Sequence, residues 1–102
     1  MVARLLVAGA VLASLAGCAV PEARLRTGLI NAGLPEPLSA CMAERMVDRL
    51  SLKQLMRIAD LPKARGSESI DQFLHRVRAL GDAEILGVAS SSAALCATGL
   101  AD

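Results

Sequence analysis

The chain has 102 residues, which suffices for one small domain preceded by a short leader. Phe73 is its single aromatic residue, so the core must be aliphatic, and this favours packed helices over a β-sandwich. The formal net charge of +1 excludes the strongly basic surface that general nucleic-acid binding requires.

The first residues follow the order of segments that is typical of a bacterial export signal. Arg4 is followed by an apolar run over residues 5–15 (LLVAGAVLASL) and then by small residues. This run is shorter than the about 20 apolar residues that a membrane-spanning helix needs, and Pro21 and several charged residues follow it. The alternatives are an uncleaved membrane anchor and a buried N-terminal helix.

The four residues LAGC at positions 15–18 resemble the lipobox of bacterial lipoproteins, which consists of an aliphatic residue, two small residues and a cysteine. In that family the cysteine thiol is acylated, and a dedicated signal peptidase cuts the chain before it. The resemblance implies that residues 1–17 are a signal peptide and that Cys18 carries palmitate-type acyl chains. Two or three such chains anchor a protein to a membrane without a polybasic patch.

The residue after the cysteine carries the sorting information in enteric members of that family, where aspartate retains the protein in the inner membrane. Ala19 stands at this position. The resemblance therefore implies a protein that is attached to the outer membrane and faces the periplasm. Without Arg4 the chain has ten basic and ten acidic side chains, so the mature protein would carry no net charge.

We expect residues 18–33 to form the lipidated N-terminus and a tether. Residues 19–28 (AVPEARLRTG) contain several charges and no evident apolar period, which indicates an irregular segment. A short helical turn is expected over residues 29–32, ended by Gly33.

Residues 34–102 are predicted to form an all-α domain, a small bundle of about four helices. Ser51 and Gln54 have the spacing of a capping box, Ser67 or Ser69 is expected to cap the third helix, and Asp82 the fourth. The predicted helices cover residues 37–50, 51–60, 70–80 and 83–97. This part of the chain resembles small exported proteins of alphaproteobacteria, a resemblance that brings no functional motif with it.

The three cysteines are accounted for if Cys18 is acylated, because Cys41 and Cys96 then remain for one disulfide in an oxidising compartment. Such a bridge would join the first predicted helix of the bundle to the end of the last one. The alternative is two buried thiols that pack as small hydrophobic groups.

Four basic residues recur every four positions, which would place them in one row if the first two helices were continuous. We expect this row to be able to contact an anionic surface, such as lipid headgroups or acidic cell-wall polymers. The alternative is a solvated face with Arg45–Asp48 and Arg57–Asp60 ion pairs. The four residues are Arg45, Arg49, Lys53 and Arg57.

No pattern of catalytic or metal-binding residues stands out. His75 is the only histidine, and a pair with Asp71 supplies too few ligands for zinc. The serines at positions 90–92 lie in a predicted helix without a nucleophile-elbow pattern. We therefore predict that the protein is not an enzyme and uses no metal or cofactor.

The sequence thus predicts a small envelope lipoprotein with a non-catalytic binding or structural role. Its partners would be the membrane, through the acyl chains, and an envelope protein or cell-wall polymer. The alternative is a lipid-anchored inhibitor or small-ligand-binding module. An exposed patch of Met42, Met46 and Met56 would favour protein binding, whereas a closed apolar pocket would favour a ligand carrier.

Overall fold

The computed structural model of the protein describes residues 20–99, so the predicted signal peptide, Cys18 and Ala19 lie outside the described residues. Helix α1 covers residues 20–31 of this part. The helices that follow are α2 (Glu36–Val47), α3 (Leu52–Ala59), α4 (Ile70–Arg78) and α5 (Ala83–Thr98). No strand occurs within residues 20–99, and the predicted all-α bundle is confirmed.

The expectation of an irregular tether is wrong for the described part of that segment. Residues 20–31 are helical, and Leu25 and Leu29 are 0% exposed. These two leucines have i, i+4 spacing, and Ala32 extends their stripe by one turn into the core. Leu25 is flanked in the sequence by two exposed arginines, so the short apolar stripe is difficult to recognise from the sequence alone. The apolar face of α1 therefore belongs to the bundle.

The end of α1 is fixed by a Schellman motif, in agreement with the predicted stop at Gly33. Gly33 has a φ angle of +102°, and its amide donates to the Ile30 carbonyl at 3.0 Å. The Leu34 amide donates to the Leu29 carbonyl at 3.2 Å. Leu29 and Leu34 are both buried, which supplies the hydrophobic contact that accompanies this motif.

Polar caps set the start of α3, α4 and α5. Ser51 with Gln54, and Ser69 with Gln72, form complete capping boxes at α3 and α4. Asp82 accepts hydrogen bonds from the second and third amides of α5. The predicted caps Ser51 and Asp82 are confirmed, and Ser69 rather than Ser67 caps α4.

The core is almost entirely aliphatic, as the composition requires, with Phe73 as its single aromatic member. Helix α5 packs against α2 and α4. The predicted bridge between Cys41 of α2 and Cys96 of α5 is present, with a Cα–Cα distance of 5.8 Å. The fully buried large side chains are Leu25, Leu29, Met42, Met46, Ile58, Phe73, Val77 and Ile85.

Candidate functional site

The four basic residues that the sequence places in one row do not share one continuous helix, because α2 ends at Val47 and α3 begins at Leu52. Arg49 lies in the turn after α2 and donates to the Arg45 carbonyl at 2.8 Å, which ties it to the end of that helix. Arg57 donates to the Leu80 carbonyl at 2.6 Å and lies 3.7 Å from the Asp82 carboxylate. Arg57 thus connects α3 to the turn before α5, while Arg49 and Lys53 remain exposed.

The ion pairs expected along this row do not form. Within residues 20–99 the structure contains two ion pairs, Arg57–Asp82 at 3.7 Å and Arg76–Glu68 at 2.9 Å. The first of these joins residues 25 positions apart in the sequence, so no local spacing rule predicts it.

The methionines do not form an exposed patch. Met42 and Met46 are 0% exposed and belong to the core, and Met56 is half-buried. The large exposed apolar residues of the described part lie on different elements, with Val20 and Ile30 on α1 and Leu52 at the start of α3. The apolar protein-binding surface considered from the sequence therefore has no counterpart among residues 20–99.

The other candidate polar residues are also separate from one another. His75 and Asp71 are both exposed on α4, and residues 20–99 contain no cluster of three or more potential metal ligands. Ser91 donates to the Val88 carbonyl at 3.1 Å within its own helix. Ser92 is buried, and its hydroxyl has no hydrogen-bond partner in the described part of the chain.

A cleft of about 580 Å³ lies between the end of α1 and the loop that joins α3 to α4. Its polar side chains are Asn31, Lys63, Arg65 and Ser67. A second cleft of about 360 Å³ lies next to it along α1 and shares Asn31 with it. The other residues that line the first cleft are Ile30, Gly33, Leu34, Pro35, Ala64 and Gly66.

The charge in these two clefts is of one sign. Lys63 and Arg65 line the first and Arg24 lines the second, and none of the acidic residues within residues 20–99 lines either of them. Arg24, Thr27 and Asn31 lie on one face of α1, because their spacing is i, i+3 and i+7. Three cations, Arg24, Lys63 and Arg65, thus line two adjacent clefts beside α1.

The loop that forms one wall of the cleft is attached to α1 by its backbone. The Ala64 amide donates to the Asn31 carbonyl at 2.7 Å, and the Glu68 amide donates to the Gly33 carbonyl at 3.0 Å. Gly33 is required at this contact in addition to its role as a cap, since a Cβ atom there would lie 2.8 Å from the Glu68 amide nitrogen.

Arg76 of α4 holds the same loop from the other side. Its guanidinium binds the Glu68 carboxylate at 2.9 Å, donates to the Pro62 carbonyl and reaches the Ala32 carbonyl at 3.5 Å. One half-buried side chain therefore joins α4, both ends of the loop and the end of α1. These contacts restrain both ends of the loop that lines the cleft.

The backbone of the loop also offers hydrogen-bond donors. The amides of Arg65, Gly66 and Ser67 donate to no acceptor within residues 20–99. These three consecutive residues line the cleft. Lys63 and Asn31 line the cleft beside them.

The sequence interpretation missed this cleft because it treated residues 19–28 as a tether and the α3–α4 loop only as a connection. The available signal was the pair of basic residues in the segment PKARGS, which lacks any acidic residue. These basic residues indicate a cleft only when α1 is known to lie beside the loop, because α1 forms the opposite wall.

Comparison of the chain with protein-family models, with curated proteins and with solved structures finds no match. None of the helices within residues 20–99 combines the length and the apolar character that crossing a membrane requires.

Proposed function

We propose that the protein is a lipoprotein of the bacterial envelope, attached to the outer membrane through acyl chains on Cys18, with a helical domain that has a non-catalytic binding role in the periplasm. The observation that carries this proposal is the sequence LAGC at positions 15–18, directly after the apolar run of residues 5–15. Ala19, in place of aspartate, supports the outer membrane as the destination.

The disulfide supports the same compartment. Because Cys41 and Cys96 pair with each other, Cys18 is the remaining cysteine of the three. Disulfides persist in the periplasm and are rare in the bacterial cytosol. A small domain with one aromatic residue benefits from such a bridge in this environment.

The short distance in sequence between Cys18 and α1 would place the helical domain close to the membrane. Helix α1 already includes residue 20, two positions after the proposed lipid attachment site. With acyl chains on Cys18, the bundle would lie directly at the membrane surface. Arg24 and Arg26 are exposed on this helix, where they would face anionic headgroups.

Metabolic labelling tests the anchor. The chain is expressed in a Gram-negative host that is fed an alkyne fatty acid, and the purified product is analysed by intact mass spectrometry. We expect an acylated product that begins at Cys18 and is found in the outer-membrane fraction. The Cys18→Ser variant should lose the label and retain its leader, whereas the Cys41→Ser variant should keep the label. An unacylated product that begins at another residue would refute the lipoprotein proposal.

The role of a small-ligand-binding module is favoured over that of a protein-binding surface by one observation. Met42 and Met46 are buried, and the cleft of about 580 Å³ beside α1 is open and partly polar, so it would suit a small polar ligand rather than the apolar ligand of a closed pocket. This volume lies within the range of about 300–1,000 Å³ that is typical of small-molecule sites. Crosslinking in intact cells provides the test, since a protein partner crosslinked away from this cleft would favour the protein-binding role instead.

A further inference from the structure

We propose that the cleft between α1 and the α3–α4 loop binds a phosphate ester, with Lys63 and Arg65 as the residues that recognise its phosphate group. The proposal rests on the non-catalytic binding role proposed above, and not on the lipid anchor. It concerns the ligand class, which neither the lipobox nor the fold specifies.

The charge of the cleft is the first reason. Lys63 and Arg65 are exposed residues that line it, and no carboxylate from the described part of the chain lines it. Among the nearby acidic residues, Glu68 is already bound to Arg76 at 2.9 Å. Two cations without a competing carboxylate favour an anion, and a guanidinium matches the oxygens of a phosphate group.

The backbone donors are the second reason. The amides of residues 65–67 donate to no acceptor within residues 20–99, and these residues line the cleft together with Asn31. Consecutive backbone amides beside cationic side chains are a common way of holding phosphate oxygens. Ser67 adds a hydroxyl that can donate to the same oxygens.

The apolar part of the cleft indicates an ester rather than the bare ion. Ile30, Leu34 and Pro35 line the cleft beside the polar residues. A volume of about 580 Å³ is much larger than inorganic phosphate needs. A ligand with a phosphate group and a small organic body, such as a glycerol phosphate unit, fits both parts.

Preorganisation is the last reason. The two backbone hydrogen bonds from the loop to α1 and the contacts of Arg76 fix the loop. A ligand therefore does not have to order this loop, which removes a cost that flexible sites incur on binding.

The test is a titration of the full chain, purified in a nonionic detergent and followed by the backbone amide signals in NMR spectra. Two probes distinguish the possible sources of the phosphate ester. Glycerol 3-phosphate represents a soluble ester, and dihexanoyl phosphatidylglycerol represents a lipid headgroup. Glycerol and dihexanoyl phosphatidylcholine serve as the uncharged and zwitterionic controls.

We expect saturable shifts of the amides of Asn31 and residues 65–67 with at least one phosphate ester, and none with glycerol. Saturation with glycerol 3-phosphate supports a soluble ligand, and saturation with the anionic lipid alone supports a headgroup. The Lys63→Gln/Arg65→Gln double variant should bind about tenfold more weakly or worse, because two charge-assisted contacts are lost.

The control is the Arg78→Gln variant, which removes a cation from an exposed surface that does not line the cleft. It should bind like the wild type. Absence of saturable shifts with both esters would overturn the proposal, as would equal weakening by the cleft double variant and by Arg78→Gln. Neither result would affect the fatty-acid label on Cys18, so failure of this proposal is separate from failure of the anchor.

Discussion

Gly28 of α1 lies against the backbone of Ala59 of α3, so closely that a Cβ atom at position 28 would stand 2.7 Å from the Ala59 Cα atom. Real Cβ atoms do not come this close to backbone atoms, and the backbone of Ala59 cannot turn away as a flexible side chain can. Together with the buried side chains of Leu25 and Leu29, this contact packs α1 into the domain.

We therefore predict that Gly28→Ala destabilises the protein by about 1–3 kcal/mol, because the added methyl group forces α1 and α3 apart. The matched control is Gly87→Ala in α5, where a Cβ atom meets no other atom within 4 Å. That variant should be more stable than the wild type by up to about 1 kcal/mol, because alanine is the better helix former. Urea unfolding followed by circular dichroism measures both. Equal stabilisation by both substitutions would show that α1 does not pack on α3.

Arg76 is predicted to fix the cleft loop as well as to stabilise the fold. Arg76→Met removes the hydrogen bonds to Glu68, Pro62 and Ala32 and should cost about 1–3 kcal/mol of stability. The local effect is the more specific one, because the amides of Ala64 and Glu68 should exchange with deuterium faster than in the wild type.

The control for this variant is Arg78→Met on the same helix. The Arg78 side chain is exposed and makes no hydrogen bond or ion pair within the described part of the chain, so its replacement should change stability by less than about 0.5 kcal/mol. Unchanged exchange of the Ala64 and Glu68 amides in Arg76→Met would contradict the role of Arg76 in holding the loop.

Helices α3, α4 and α5 could be predicted from the sequence because local signals agree in each of them. Ser51 with Gln54 marks the start of α3, and Asp82 marks the start of α5. Both helices therefore begin within one residue of the expected position. The predicted ends are less accurate. Leu50 and Leu80 continue the apolar period of α2 and α4, but both lie in the turns beyond these helices and contact the core from there.

Helix α1 and the cleft could not be predicted in the same way, because they depend on contacts between distant residues. The hydrogen bond from Ala64 to Asn31 and the packing of Gly28 on Ala59 each join residues more than one element apart. In the sequence alone, Gly28 indicates a flexible position. In the structure it is a close contact between two helices, because the backbone of Ala59 in α3 packs against it. Likewise, Arg57 pairs with Asp82 rather than with Asp60, since the tertiary fold brings a better-placed carboxylate to it.

The disulfide is predicted to supply a large share of the stability. It joins Cys41 and Cys96, which are 55 positions apart, and thereby restricts the unfolded chain. Reduction, or the Cys41→Ser/Cys96→Ser double substitution, should lower the free energy of unfolding by about 2–4 kcal/mol. Urea unfolding with and without a reducing agent measures the effect. The double variant serves as the control, because the reducing agent should not shift its midpoint, and an equal shift in both proteins would contradict the prediction.

Asp82 is predicted to make the stability of the domain depend on acidity. The pKa of Asp82 is lowered from its usual value, chiefly by the hydrogen bond from the Ile85 amide and next by the Gln54 side chain, with the Glu84 amide and Arg57 adding to the effect. A lowered pKa in the folded state means that the ionised carboxylate stabilises the fold above the unfolded value of 3.8. This contribution is lost as the pH falls through the lower pKa of the folded state.

We expect the melting temperature of the wild type to decrease between about pH 5 and pH 2, and the decrease to be smaller in Asp82→Asn. Asparagine keeps an oxygen that can cap α5, so the comparison isolates the charge from the hydrogen bonds of the cap. At neutral pH the variant should be less stable than the wild type, because Gln54 and Arg57 lose their charged acceptor. The control is Asp48→Asn, which removes the same charge from an exposed residue whose side chain makes no hydrogen bond or ion pair within residues 20–99. Its melting temperature should follow that of the wild type across the pH range, and an Asp82→Asn profile parallel to the wild type would refute the assignment.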